Sequence, residues 1–150
     1  MLTVIAGPMF AGKSSKLISM ATTHLLAGHN VLAFKPANDN RFGVGEYIAT
    51  HTNEKFIATS IDPQSPSIIL ERVIDFESAW HKKVDAIAID EAQFFDSTHL
   101  IFTVEHLLYT QSKTIILSGL SQDSSGNPFG AMPHMLAIAD DIIHLKAVCA

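Results

Sequence analysis

Near the start of the chain, Gly7-Pro8-Met9-Phe10-Ala11-Gly12-Lys13-Ser14 follows the pattern G-x-x-x-x-G-K-[ST]. Two glycines, a lysine and a hydroxyl at this spacing are suited to holding phosphate. The glycines let the backbone curl until successive N–H groups point inward at phosphate oxygens. A helix starting directly after the turn adds the positive end of its dipole. In such a turn Lys13 reaches the β and γ phosphates of a nucleotide, and Ser14 serves Mg²⁺.

A second reactive group is Asp90-Glu91, at the end of the apolar run Val84-Asp85-Ala86-Ile87-Ala88-Ile89. An acid ending an apolar strand beside a phosphate turn orders Mg²⁺ or its waters, which makes Asp90 the metal-side acid. Glu91 is then a candidate base. In a hydrolytic ATPase it would polarise water. In a small-molecule kinase it would take a proton from a substrate hydroxyl or hold that hydroxyl in line. The residue types alone leave both chemistries open.

These groups need elements to carry them. Residues 2–6 predict a buried strand that feeds the turn, and 13–27 a helix with Leu17, Ile18, Ala21, Leu25 and Leu26 near a 3.6-residue period. Gly28 ends it. A second strand is expected at 31–34, then a loop over 36–47, rich in turn formers. One or two short strands are expected in 48–59 and a helix over 68–81 capped by Ser67. The run 84–89, apolar without alternation, predicts a parallel strand buried on both faces. A helix over 96–111, a strand at 114–117, a glycine-containing loop over 119–130, a short helix near 133–139 and a final strand complete the pattern. Alternating strands and helices predict an α/β domain with a mostly parallel sheet, the helices making the crossovers. No repeat, low-complexity tract or linker divides the chain, so residues 1–150 are expected to form one domain.

Composition narrows the classes of function. With 150 residues, 47% of them apolar, the chain is long enough for a substantial core. A net charge of -5 and scattered Lys and Arg argue against a basic groove for nucleic acid. The one cysteine, Cys149, cannot form an internal disulfide. Gly7-Pro8 and Lys13 interrupt the first apolar run before it could serve as a signal core, and no stretch is long enough to span a bilayer. The expectation is a soluble cytoplasmic protein with no membrane partner.

The stretch Asp90 to Phe95, DEAQFF, together with GPMFAGKS, KPANDNRFG and GNPFG, closely resembles the thymidine kinase family of the cellular, RecA-like type. The match runs in order from residue 1 to residue 150. The resemblance implies a RecA-like P-loop fold and ATP-dependent phosphorylation of the 5′-hydroxyl of thymidine or deoxyuridine, in nucleotide salvage. It makes Glu91 the catalytic base. ATP contacts fall on Gly7 through Ser14, Asp90 and Gln93, with Mg²⁺ at Ser14 and Asp90. Asp39 and Arg41 match an Asp-x-Arg pair that approaches the phosphates at the reaction centre. A guanidinium there can bind two equatorial oxygens of the transferring group. Met9, Phe94, Leu120 and Phe129 match pocket-lining positions, where a flat base needs apolar walls. The resemblance also implies a homo-oligomer, a tetramer. The alternatives are a RecA-like ATPase, or a nucleotide-binding remnant without kinase turnover.

Two places depart from the family pattern. Ser121 and Ser124 stand where family members usually carry Asp and Phe. A serine in place of an aromatic wall is expected to cost about 1–3 kcal/mol of base binding. Cys149 aligns with the first of four cysteines of the family's structural zinc site, and the sequence stops one residue later. One thiolate cannot make a four-ligand site, so zinc is not expected, and neither is the family's base-covering lasso. The expectation is a fragment or a short form whose ATP binding survives better than its catalysis.

Overall fold

The computed structural model describes residues 1–37, 43–50 and 53–147; for 43–46 it describes the backbone alone. Among these, the strands are β1 (Leu2–Ala6), β2 (Val31–Pro36), β3 (Gly43–Ala49), β4 (Lys55–Ile61), β5 (Ala86–Ile89), β6 (Thr114–Gly119) and β7 (Asp141–His144). The helices are α1 (Lys13–Leu26), α2 (Ile68–Trp80), α3 (Ser97–Glu105) and α4 (Met132–Ile138). All seven strands join one sheet in the order β3-β4-β2-β5-β6-β1-β7. Every pair is parallel except β3 with β4. This is the α/β architecture that the alternation of elements implies.

The central strands are apolar throughout because both faces of the sheet are covered, and their side chains alternate between two cores. Ile5, Ala33, Ala88 and Ile116 face α1, where Leu17, Ile18 and Ala21 are buried. The two alanines leave room for the helix to lie close. Val4, Ala6, Ile87, Ile89, Ile115 and Leu117 face the other way, onto a larger core shared with Ile69, Val73, Leu100, Val104 and Met135. Burying each such Leu or Ile contributes about 1.5–3 kcal/mol. The result is a rigid floor, and the carboxyl ends of β1, β5 and β6 lie side by side at one edge of it.

Three local expectations are corrected. The loop expected over 36–47 gives way to β3 at Gly43, which pairs antiparallel with β4 and carries the fully buried Ile48. Ser67 does not cap α2: it has helical dihedrals and makes no side-chain cap bond. Backbone bonds from Ile68 to Ser65 and from Ile69 to Pro66 close that end instead. The helix expected over 96–111 is α-helical only to Glu105 and then widens into a π turn, His106–Thr110. The wider turn buries both Leu107 and Leu108. At the start of α3, Asp96 accepts from the backbone N and from Nδ1 of His99, at 3.0 and 2.6 Å. Those bonds hold the Asp96 carboxyl below its ordinary range.

Candidate active site

The chain leaves β1 at Ala6 and turns through residues 7–12 into α1. Gly12 forms the helix cap with φ +84°, a backbone conformation that a side chain would strain. It offers no side-chain cap to the first-turn N–H groups, and no acid lies in that turn. These donors, with the dipole behind them, suit an anion. Lys13 folds back over the turn and donates from Nζ to the Pro8 carbonyl at 2.6 Å. Burial pushes its ammonium below the ordinary lysine value, and the carboxylates of Asp90 and Glu91 oppose that shift.

Asp90 sits at the carboxyl end of β5, buried, with its backbone N–H donating to the Phe34 carbonyl. Two hydroxyls hold its carboxylate. Ser14 Oγ donates from 3.1–3.2 Å, and the fully buried Ser118 Oγ, at the end of β6, donates to Oδ1 at 2.6 Å. Ser118 is a site-supporting position that no motif marks; in the sequence it is only a serine after the apolar run Ile115-Ile116-Leu117. Hydrogen bonds to a charged group contribute about 1.5–3 kcal/mol. Ser118→Ala is therefore expected to lower unfolding free energy by about that amount, as measured in a urea titration at neutral pH.

Glu91 has left-handed dihedrals, φ 50° and ψ 47°, although it is not glycine. Such a conformation costs roughly 1–2 kcal/mol. It starts the single 3₁₀ turn Ala92–Phe94 and leaves Glu91 on the wall of a cavity of about 580 Å³. Burial raises the Glu91 carboxyl above its ordinary value, the neighbouring Asp90 charge adds to this, and Lys35 and Lys13 offset part of it.

The cavity lies between the turn, the end of β5 and the β3–β4 hairpin. Met9, Phe10, Ala11, Gly12, Lys13, Ser14, Asp90, Glu91, Gln93, Phe94 and Leu120, all expected site residues, share its lining. Gly7 and Pro8 lead into the turn outside the lining. Phe129 also lies outside, meeting the Phe94 ring edge-on at 5.7 Å. Gln93, expected among the ATP contacts, has its amide oxygen engaged by the Leu120 N–H at 3.1 Å. Ser15, Ala49 and Thr50, which no motif marks, also line the cavity. Ala49 and Thr50 stand at the end of β3 and in the turn after it, within the stretch expected to hold one or two short strands, and Ser15 Oγ donates to Glu54 of the same hairpin at 3.2 Å. Asp39, Arg41 and Cys149 lie outside the described residues.

Anion-binding donors, a carboxylate of raised proton affinity and apolar side chains thus line one cavity. Ser14 Oγ and the Asp90 carboxylate are hard oxygen donors of the kind Mg²⁺ takes. Among the described residues no three His, Cys, Asp or Glu side chains gather into a fuller metal cluster, and no helix is long and apolar enough to cross a membrane.

The family model described as "Thymidine kinase" matches residues 1–150. The chain is 36% identical over 149 residues to a thymidine kinase of Onion yellows phytoplasma (strain OY-M), covering 99% of this chain and 66% of that protein. It is 39% identical over 149 residues to one from Deinococcus radiodurans, covering 99% and 69%. A third, from Mycoplasma mobile, is 36% identical over 148 residues, covering 99% and 68%. The chain thus spans about two thirds of the length of these relatives.

Proposed function

Because this chain belongs to the thymidine kinase family, we propose that its site transfers the γ-phosphoryl group of ATP to the 5′-hydroxyl of thymidine or deoxyuridine, in nucleotide salvage. The observation that carries the reading is the position of Glu91. It shares one cavity with the phosphate-holding turn, which contributes Met9 as well as Lys13 and Ser14, and with the apolar side chains Phe94 and Leu120. Apolar side chains suited to a flat base favour a nucleoside over water as the acceptor.

In this reading the N–H groups of the turn and of the start of α1 hold the β and γ phosphates. Lys13 exchanges the Pro8 carbonyl for phosphate oxygens, and the added negative charge favours its cationic form. Glu91 orients the 5′-hydroxyl and accepts its proton as the oxygen attacks phosphorus and the bond to the bridging oxygen of ADP breaks. Ser14 and Asp90 would hold Mg²⁺, which neutralises phosphate charge when bound. Ser118 keeps the Asp90 carboxylate oriented towards Ser14. To Asp39 and Arg41 we assign the approach to the equatorial oxygens, on the family resemblance. We further assign the chain a cytoplasmic, homo-oligomeric existence on the same ground.

The test is ADP formation measured with and without nucleoside. We expect turnover that depends on thymidine or deoxyuridine and yields one nucleoside monophosphate per ADP. ADP release at the same rate without nucleoside would favour the ATPase reading.

A further inference from the structure

The 3₁₀ turn that presents Glu91 also touches both ends of the loop 119–130, through a single residue. Gln93 is buried, and its Oε1 accepts the Leu120 N–H at 3.1 Å. A Cβ on Gly119 would come within 2.9 Å of that same oxygen. At the far end of the loop, Gly130 lies against the Gln93 backbone so closely that a Cβ would sit 2.6 Å from its carbonyl oxygen. The next residue along the turn, Phe94, meets Phe129 edge-on. Between these two anchors the loop closes on its own bonds, Asp123 N to Asn127 O and Gly126 N to Asp123 O. Both ends of the loop therefore touch the same glutamine, one through its side-chain oxygen and the other through its backbone.

We propose that Gln93 is a positioning residue that clamps the 119–130 loop and thereby sets the nucleoside-side wall, Leu120 and the Phe94–Phe129 pair, relative to Glu91. The inference rests on the nucleoside reading of the cavity. A buried amide oxygen engaged by a backbone N–H is poorly placed to contact ATP, and the residues it fixes lie on the apolar side. Loss of the clamp should weaken nucleoside binding and spare the phosphate turn, which belongs to a different segment.

The experiment compares Gln93→Leu, Gln93→Glu and Gly130→Ala in the full chain. Thymidine and ATP KM values are measured, together with backbone amide exchange at Leu120 in the absence of ligands. Loss of a buried hydrogen bond of this kind predicts a roughly tenfold rise in thymidine KM for Gln93→Leu, with ATP KM changed less than about twofold. Gln93→Glu keeps an acceptor oxygen and should recover most of the loss. Gly130→Ala, acting from the other anchor, should reproduce the thymidine effect. Leu120 exchange should accelerate about tenfold in Gln93→Leu. An unchanged thymidine KM in Gln93→Leu, or equal increases for both substrates, overturns the proposal. Exchange is read without substrate, so it decides the clamp separately from the kinase reading. If no nucleoside is turned over, that reading fails, and unaltered Leu120 exchange in Gln93→Leu still overturns the clamp.

Discussion

Replacing Glu91 by Gln is expected to reduce thymidine-dependent ADP formation by about 10²–10⁴-fold while leaving ATP binding intact. The amide keeps the size and the hydrogen-bonding reach of the side chain but cannot accept the proton of the 5′-hydroxyl. The same change should make the folded protein more stable at neutral pH. Burial, then the charge of Asp90, raise the Glu91 carboxyl above its ordinary 4.5. A carboxyl whose folded-state pKa is raised favours the neutral form in the folded state. Its stabilising contribution is therefore present below the unfolded value and lost as pH rises through the folded one. As pH rises above 4.5 the cost of ionising this carboxyl in the folded protein grows, and glutamine removes that cost; below pH 4.5 the two proteins should converge. Thermal melts across pH, alongside the kinetic assay, read both effects. In the wild type, the acid limb of the rate profile should lie above the ordinary glutamate range, because the base must be ionised to work.

Lys13→Met should abolish the thermal stabilisation that ATP gives the wild type and lower phosphoryl transfer by about 10²–10³-fold. The ammonium is the one charged donor in the turn, and methionine keeps its length without the charge. In the nucleotide-free protein the substitution should leave stability unchanged or slightly raised. Burial depresses the Lys13 pKa, so the folded state disfavours the charged form. Its single Pro8 contact is a weak return for that desolvation. A lysine that is unfavourable to fold around and needed for ligand is the usual trade between stability and function. Differential scanning fluorimetry with and without ATP and Mg²⁺ would read the loss, and a preserved ATP shift in Lys13→Met would remove the residue from phosphate binding.

Most of the scaffold of the site was legible because it depends on local rules. The apolar runs of β1 and β5, the 3.6-residue spacing in α1 and the glycine-lysine-hydroxyl turn are each encoded within a few neighbouring residues. What escaped depends on partners far along the chain. The first part of β3, residues 43–47, reads as a loop because Gly43 and Gly45 weaken strand preference. It forms a strand because β4 supplies its hydrogen bonds and the core takes Ile48. Ser118 meets Asp90 from 28 residues away, and Gln93 meets Leu120 from 27. Neither spacing has a local signature, since both follow from β5 and β6 being parallel neighbours in the sheet. The left-handed backbone of Glu91 is likewise invisible in the sequence, because glutamate adopts it only where surrounding packing compensates. The family resemblance supplied the residues' roles; the geometry supplied the means by which they are held.

The measurement closest to the central claim is a crystal structure of this chain with a non-hydrolysable ATP analogue, Mg²⁺ and thymidine. The triphosphate should occupy the turn, with Lys13 released from Pro8 onto its oxygens. The nucleoside should lie between Met9, Phe94 and Leu120, with a Glu91 carboxylate oxygen within about 3 Å of the 5′-hydroxyl. A triphosphate seated in the turn while Glu91 faces only water, with thymidine absent from the cavity at saturating concentration, would contradict that claim.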